Sequence, residues 1–182
     1  MALDPDGINF VDTIKIQLDD VYELGVHEGV VQGVKVVFLH QAEIFPSPYA
    51  DIGPVGTVRQ LAVFGKACLE YCCKRGIIPS MCITNDWFTG LIPGYAKNGS
   101  FGPTFNGTTF LHICHNLMED YEGRLYPNPR DQVHLIHQLQ HDWLVDPSWS
   151  KYIVNPSRCA LLMSDQWATV SKSYRDDLLK DS

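Results

Sequence analysis

The first 40 residues alternate apolar and polar positions, a pattern that is typical of β-strands. Residues 8–18 and 21–26 carry this alternation on either side of a short acidic turn, which predicts a β-hairpin. Two further turns are predicted at 28–29 and 32–33, where glycine follows a polar residue. The segment 34–39 is almost wholly apolar, which predicts a strand buried on both faces.

Beyond residue 50 the apolar spacing becomes helical. Residues 58–72 carry an apolar stripe, and the sequence Lys74-Arg75-Gly76 is a helix stop signal. Apolar strands alternating with helices then predict an α/β fold, in which a Rossmann-like parallel sheet with helices on both faces follows the N-terminal hairpin. The strands are predicted at 80–84, 108–114 and 167–170, and the helices at 85–97, 130–143, 157–163 and 171–179.

Polar residues gather where the predicted strands end. In open α/β sheets the loops after the strand carboxyl ends form the binding site. Those loops begin after residues 39, 84, 114 and 170 and carry His40, Gln41, Glu43, Asn85, Asp86, His115, Asn116, Glu119, Asp120, Ser171, Lys172 and Ser173. The sequence has no Gly-x-Gly-x-x-Gly and no Walker loop, so it predicts no classical dinucleotide or phosphate-loop site.

Charge and composition narrow the classes of partner. Fourteen Lys and Arg against 21 Asp and Glu give a net charge of −7, which disfavours non-specific binding to nucleic acid or to anionic lipid. No apolar run approaches the roughly 18 residues of a membrane span, and no signal peptide is visible. The six cysteines form no Cys-x-x-Cys pair, which favours reduced thiols and a cytoplasmic protein.

Three histidines raise the question of a metal site. His134, His137 and His141 would share one face of the predicted helix 130–143, and that spacing could hold zinc. No cysteine or carboxylate stands nearby with a recognisable ligand spacing, although Asp142 is adjacent. We therefore predict an amphipathic surface helix and no metal site.

Several segments at or near these strand ends resemble motifs of the bacterial and plant glycogen and starch synthases. Residues 85–95, NDWFTGLIPGY, resemble the family motif H/N-D-W-H-T/A-x-L-x-P-x-Y, and 169–174, TVSKSY, resemble T-V-S-P-x-Y. The segment HNL at 115–117, followed by YEGR at 121–124, resembles H-N-L-A-Y-Q-G. Upstream, GVKVVFL at 33–39 and FPSPY at 45–49 resemble a family strand and the aromatic loop F-D-R-P-x-Y.

The resemblance implies part of a GT-B glycosyltransferase, which has two Rossmann-like domains facing a cleft. That family transfers glucose from a nucleotide-sugar to an α-1,4-glucan with retention of configuration. Residues 1–182 would form one incomplete N-terminal domain; the opening strand with its Lys-x-Gly-Gly-Leu loop and the C-terminal nucleotide-binding domain would lie outside it. No cofactor is implied, and the donor, ADP-glucose or UDP-glucose, would be bound through the absent domain. Alone, such a fragment is expected to be inactive.

The resemblance also implies roles for single residues. His115 and Asp86 would be catalytic, and Asn116, Phe45, Tyr49 and Ser171 would bind substrate. Each has a structural alternative: His115 could bond only to backbone, Asp86 and Ser171 could be helix N-caps, and the two rings could simply pack. The sequence departs from the family at Phe88, where His is usual, and at Lys172, where Pro is usual.

The sequence is compatible with more than one function. The leading hypothesis is an acceptor-side fragment of a glucan synthase that acts on α-1,4-glucan in the cytoplasm, or in a plastid if the source is a plant or alga. The alternative is a non-catalytic glucan- or protein-binding module of a larger protein; a third is another GT-B enzyme, such as a sucrose-type or α-1,3-glucan synthase. A truncated sheet would expose an edge through which the chain could form a homodimer.

Overall fold

A computed structural model of the chain describes residues 7–47, 50–117, 121, 123–145 and 152–180. The strands form two separate three-stranded sheets, with order β1-β2-β3 in the first and β4-β5-β6 in the second. A long helix packs both against the first sheet and against short helices next to the second sheet.

The first sheet is an antiparallel meander of strands β1 (Asn9–Gln17), β2 (Val21–Val31) and β3 (Val34–His40). The predicted hairpin is confirmed, but β2 runs straight through the turn predicted at 28–29. The turn predicted at 32–33 is confirmed: the chain reverses at Gln32 and Gly33, whose φ angles of 52° and 80° are left-handed. The prediction that 34–39 is buried on both faces is wrong. Val34 is 65% exposed because β3 is the edge strand of a sheet with one covered face.

Helix α1 (Gly53–Arg75) covers the inner face of this sheet. The predicted stop signal is confirmed: Gly76 has a φ of 64°, and its N–H donates to the carbonyl of Cys73 at 3.1 Å. The next amide, that of Ile77, donates to Cys72 at 2.8 Å, which completes a Schellman cap. Ion pairs from Arg59 to Asp19 and from Lys74 to Asp12, each 2.9 Å long, tie the helix to the sheet.

The second sheet is parallel and consists of β4 (Met81–Asn85), β5 (Thr109–Cys114) and β6 (Gln166–Thr169). This confirms the predicted parallel sheet, although β3 does not belong to it. Phe110, His112 and Cys114 on one face of β5 are fully buried. Met81 and Ile83 on β4 are each 53% exposed, so the described residues do not cover both faces as predicted.

The helix predicted at 85–97 is interrupted. A single 3₁₀ turn, Trp87–Thr89, follows β4, and helix α2 (Ile92–Lys97) then begins separately. Pro93 lies in the first turn of α2, where its missing N–H leaves no helical hydrogen bond unmade. Pro93 therefore marks the start of a new helix.

The helix predicted at 130–143 is also broken. Helices α3 (Val133–His137) and α4 (His141–Leu144) are separated at Gln138, which has a left-handed φ of 55°. His137 is buried while His134 and His141 are exposed, so the three rings do not form one face. Among the residues that the structure describes, no group of three potential ligands could hold a metal ion.

The last two helices agree with the sequence. Helix α5 (Pro156–Met163) packs against α2, and helix α6 (Lys172–Leu178) follows β6 with Ser171 as its N-cap. Within the described part of the chain, no helix is both long and apolar enough to cross a membrane.

Candidate functional site

The three parallel strands end side by side and bring three of the predicted segments together. Asp86 follows β4, His115 follows β5 and Ser171 closely follows β6. His40, at the end of β3, lies on the other sheet and does not belong to this group. The carboxyl edge of the second sheet is therefore the candidate site, as the parallel-sheet rule requires.

Asp86 has an unusual backbone. Its φ of 54° and ψ of 178° fall in a region that only glycine adopts without strain, and such strain concentrates at functional sites. Its Oδ1 accepts a hydrogen bond from the N–H of His115 at 2.9 Å, and its Oδ2 accepts one from the Tyr121 hydroxyl at 3.4 Å. The carboxylate makes no cap bond to the 3₁₀ turn that follows it, so the N-cap alternative is wrong. Asp86 instead joins the ends of two strands.

His115 is exposed and is held at its backbone by Asp86. Its Nε2 lies 3.3 Å from the Oδ1 of Asn85, a hydrogen bond that forms when Nε2 carries the proton. The imidazole therefore stands at the rim of the site, where a ligand can reach it, and is oriented by a side chain from the neighbouring strand. Asn116, the next residue, is half-buried in the same loop.

A cleft of about 650 Å³ opens beside Asp86. Its apolar wall is formed by Trp87 and Phe88, whose rings are 5.8 Å apart, and Phe64 stands 5.4 Å behind Phe88. The full lining comprises Ala50, Thr57, Gln60, Asn85, Asp86, Trp87, Phe88 and Tyr121. An aromatic wall facing amide and carboxylate groups suits a ligand that has both apolar faces and hydroxyls.

The indole ring of Trp87 packs directly against the backbone of Gly123, a contact that was not predicted from the sequence. Gly123 has a φ of 75°, and a Cβ built there would lie 2.4 Å from the indole ring. Trp87 is half-buried: it packs against the hydrophobic core and also forms a wall of the cleft.

The predicted aromatic loop only partly reaches the cleft. Phe45 is half-buried, and its ring packs edge-on against Phe64 at 6.5 Å, so it backs the aromatic wall without lining the cleft. Tyr49 lies outside the described residues. Its neighbour Ala50 does line the cleft, which places the end of this loop at the site.

Ser171 is the N-cap of helix α6. Its Oγ accepts a hydrogen bond from the N–H of Tyr174 at 3.1 Å, which caps α6. It borders a separate depression of about 470 Å³ with Trp167, Lys172 and Arg175. Tyr174 in turn reaches the loop after β5, where its hydroxyl oxygen accepts a hydrogen bond from the N–H of Leu117.

Thr57, Gln60 and Tyr121 line the cleft, but sequence reasoning did not propose them as site residues. Gln60 is buried, and its amide donates to the carbonyl of Ile44 at 2.7 Å. The hydroxyl of Thr57 donates to the carbonyl of Gly53 at 2.9 Å. Both lie on α1, and only the packing of α1 against the 3₁₀ turn Trp87–Thr89 brings them here. Tyr121 belongs to the third quoted motif, and that was the one available signal.

Beneath the site lies a buried histidine that was not predicted. His112 is fully buried, and its Nδ1 is 2.8 Å from the Oγ1 of Thr84. Its Nε2 has no hydrogen-bond partner among the described residues. Burial lowers the pKa of His112 to about 4, partly opposed by the charge of Asp86, so the ring is neutral at physiological pH.

The sequence matches one protein family over nearly its whole length. The family model described as "Starch synthase catalytic domain" matches residues 5–182. Similar curated proteins include the glycogen synthases of Finegoldia magna, 25% identical over 157 residues, and Lachnospira eligens, 28% identical over 159 residues. Each alignment covers 85% of this chain and 32% of the relative, so the chain spans about a third of the length of these proteins.

A solved structure shares the fold. The catalytic domain of starch synthase IV from Arabidopsis thaliana, bound to ADP and acarbose, superposes with a TM-score of 0.78 at 21% sequence identity. The match covers 94% of this chain and 35% of that one. It confirms the expected fold class, a Rossmann-like part of a GT-B architecture.

Proposed function

Because this chain belongs to the family of starch synthase catalytic domains, we propose that it is the acceptor-side part of a retaining glucosyltransferase. In the whole protein this enzyme adds glucose from a nucleotide-sugar to an α-1,4-glucan. Residues 1–182 then act as one incomplete N-terminal domain and are inactive alone. The observation that carries the proposal is the cleft at the carboxyl ends of β4 and β5, with its aromatic wall and polar rim.

The cleft has the chemistry that a glucan needs. A glucose ring presents C–H groups on its faces and hydroxyls around its edge. Trp87 and Phe88 offer ring surfaces to the first, while Asn85 and Asp86 offer hydrogen-bonding groups to the second. The substitution of Phe88 for the usual His makes this wall more apolar.

We assign His115 and Asp86 to the reaction itself. A retaining transfer develops positive charge at the anomeric carbon and negative charge on the leaving phosphate, and fixed dipoles nearby stabilise that transition state. His115, held at the rim, would bond the transferred glucose, while Asp86 orients the His115 backbone and accepts from sugar hydroxyls. Asn116, Phe45, Tyr49 and Ser171 would contribute to substrate binding.

The donor side would lie elsewhere in the protein. ADP-glucose or UDP-glucose would be held mainly by a second Rossmann-like domain, with no other cofactor. The Arabidopsis neighbour bound ADP, which supports a nucleotide of this class. The proposed location is the cytoplasm, or a plastid in a plant or alga, and neither nucleic acid nor membrane is a proposed partner.

We also propose that the chain forms a homodimer through the edge of β4. Met81 and Ile83 are exposed there, on a strand that pairs only with β5 among the described strands. Ile83→Lys should then shift sedimentation towards the monomer, and Val34→Lys on the first sheet should not. Equal sedimentation of all three forms as monomers would contradict the dimer.

A non-catalytic glucan-binding module is the second candidate, and Phe88 is the observation that favours it. The two candidates share the cleft but differ in turnover. Glucosyl transfer by the full-length protein, and its loss in His115→Ala, would decide for the enzyme. Glucan binding without transfer would decide for the module.

Calorimetric titration of this chain with maltoheptaose tests the proposed site. We expect weak binding by the wild type, no tight binding of ADP-glucose or UDP-glucose, and at least fivefold weaker glucan binding by His115→Ala. His134→Ala, which removes an exposed histidine from α3, is the matched control and should bind like the wild type. Equal affinities for His115→Ala and wild type, or transfer by the chain alone, would contradict the assignment.

A further inference from the structure

The loop that follows β5 is held from both sides. The N–H of His115 donates to the Oδ1 of Asp86, which follows β4. The N–H of Leu117 donates to the hydroxyl oxygen of Tyr174, which lies on α6 after β6. Two neighbouring strand ends thus each supply one side-chain acceptor to the same three-residue loop.

These two acceptors matter because the loop lies beyond the end of β5. Residues 115–117 are not in a strand, so their amides are outside the β-ladder. A backbone N–H that is shielded from water and unpaired is costly, and Leu117 is half-buried. The Tyr174 oxygen therefore favours the one loop conformation in which the Leu117 amide points at it.

Tyr174 is itself well anchored. Ser171 caps α6 by accepting the N–H of Tyr174, and the hydroxyl of Thr169 donates to the carbonyl of Ser171 at 3.0 Å. A chain of hydrogen bonds thus runs from the end of β6 through Ser171 and Tyr174 to Leu117. The Tyr174 ring is half-buried, in keeping with a fixed side chain.

We infer that Tyr174 is a positioning residue for the sugar-binding loop: its phenol oxygen sets the backbone that presents His115 and Asn116. The inference rests on the proposed function and deepens it. Ser171 contributes through this same chain, as the cap that places Tyr174, rather than through contact with substrate.

Tyr174→Phe removes only the acceptor oxygen and keeps the ring. Tyr152→Phe is the matched control, because that ring stacks on His141 in another part of the fold. In the whole 182-residue chain, we expect the Leu117 amide to exchange with solvent about tenfold faster in Tyr174→Phe. Maltoheptaose should bind about fivefold more weakly, the ratio that corresponds to one ordinary hydrogen bond. Tyr152→Phe should change neither quantity.

A second pair of variants guards against a general loss of structure. Ser171→Ala removes the cap and should loosen the Leu117 amide in the same direction, whereas Ser171→Thr keeps a capping hydroxyl and should restore its protection. If Ser171 were a sugar ligand instead, Ser171→Ala would weaken glucan binding without changing Leu117 exchange, and the inferred role of Ser171 would be wrong.

Two results would overturn the inference for Tyr174: unchanged Leu117 exchange in Tyr174→Phe, or faster exchange with unchanged glucan affinity. The proposed function fails separately, because a wild-type chain that binds no maltoheptaose refutes the glucan site. Faster Leu117 exchange in Tyr174→Phe would in that case still support the hydrogen-bonded positioning of the loop.

Discussion

The two sheets of this molecule differ in how they use polar residues. In the antiparallel sheet, charged side chains such as Asp12 and Asp19 pair with lysine and arginine on α1 and fasten the sheet to the helix. In the parallel sheet, the Asp86 carboxylate accepts a hydrogen bond from the N–H of His115, and the Tyr174 hydroxyl oxygen accepts one from the N–H of Leu117, so side chains after one strand hold the loop after another. Because all parallel strands end at the same edge, only this sheet concentrates polar groups at one place.

The two sheets also differ in which of their apolar side chains are exposed to solvent. The central strand of the parallel sheet has one face that is completely enclosed, whereas the antiparallel sheet leaves large apolar side chains such as Phe10 and Val30 exposed. Both sheets contribute buried residues to the core, such as Leu24 and Val26 in the first and Phe110 in the second, but only the parallel sheet also carries the candidate site. Changes at buried positions of the parallel sheet should cost both stability and binding, while changes at exposed positions of the other sheet should cost little of either.

The largest contrast is expected from one pair of phenylalanines. Phe110 on β5 is fully buried and Phe10 on β1 is 61% exposed. Phe110→Ala should lower the free energy of unfolding by about 3–5 kcal/mol through lost burial and a residual cavity. Phe10→Ala should change it by less than about 1 kcal/mol. Urea denaturation measures both, and similar costs would contradict the described burial of Phe110 and exposure of Phe10.

His112 should make the parallel sheet sensitive to acid. Its folded pKa of about 4 lies below the ordinary value of 6.5, so the unfolded chain binds more protons in between and stability falls as pH drops from about 6.5 to 4. The loss from this buried ring should be on the order of 3 kcal/mol.

His112→Asn, which cannot titrate but can still bond to Thr84, separates that contribution from others. Its free energy of unfolding should fall less steeply with acid than that of the wild type. The buried His137, whose pKa burial also lowers to about 4, keeps its own contribution in both proteins. Parallel stability curves between pH 6.5 and 4 would show that His112 does not titrate as described.

Alanine substitutions at Gly123 and Gly33 compare the cleft wall with the turn of the antiparallel sheet. Gly123→Ala introduces a Cβ where Trp87 already stands, in addition to a left-handed φ, and should cost more than about 2 kcal/mol and displace the indole. Gly33→Ala in the β2–β3 turn carries the same backbone strain with open space around it, and should cost about 1 kcal/mol. Tryptophan fluorescence and denaturation report both effects. Equal costs would mean that the indole contact is unimportant.

Asp86 gives the smallest change in stability and the most specific change in the site. Asp86→Gly relieves the strained backbone but removes the acceptor for His115, so the free energy of unfolding should stay within about 1 kcal/mol of the wild type. Asp86→Asn keeps a carbonyl oxygen and should preserve slow exchange of the His115 amide, which Asp86→Gly should lose. Fast exchange in both variants, or in neither, would contradict the described bond.

Much of this arrangement follows from sequence pattern. The hairpin, α1 with its glycine stop, the parallel strands and α6 with its Ser171 cap all have local signals, and the structure contains each of them. The resemblance of the quoted motifs also led to the correct family. These features depend on periodicity or on turn chemistry within a few residues.

Features that depend on distant contacts were not predictable in this way. The apolar run 34–39 looks like a buried parallel strand, yet it pairs antiparallel with β2 at an edge. Gln138 adopts a left-handed φ and interrupts the predicted helix, although no Gly or Pro at that position signals a break. Asp86 looked like a helix cap, and only the neighbouring strand end reveals its bond to His115.

In the proposed function, the carboxyl edge of the parallel sheet binds glucan and the antiparallel sheet does not. Amide chemical-shift mapping of the 182-residue chain during titration with maltoheptaose can distinguish the two sheets residue by residue. We expect saturable shifts at Asn85, Asp86, Phe88 and His115, with residues 9–40 unaffected. Shifts confined to 9–40, or saturation without any response at the cleft, would contradict it.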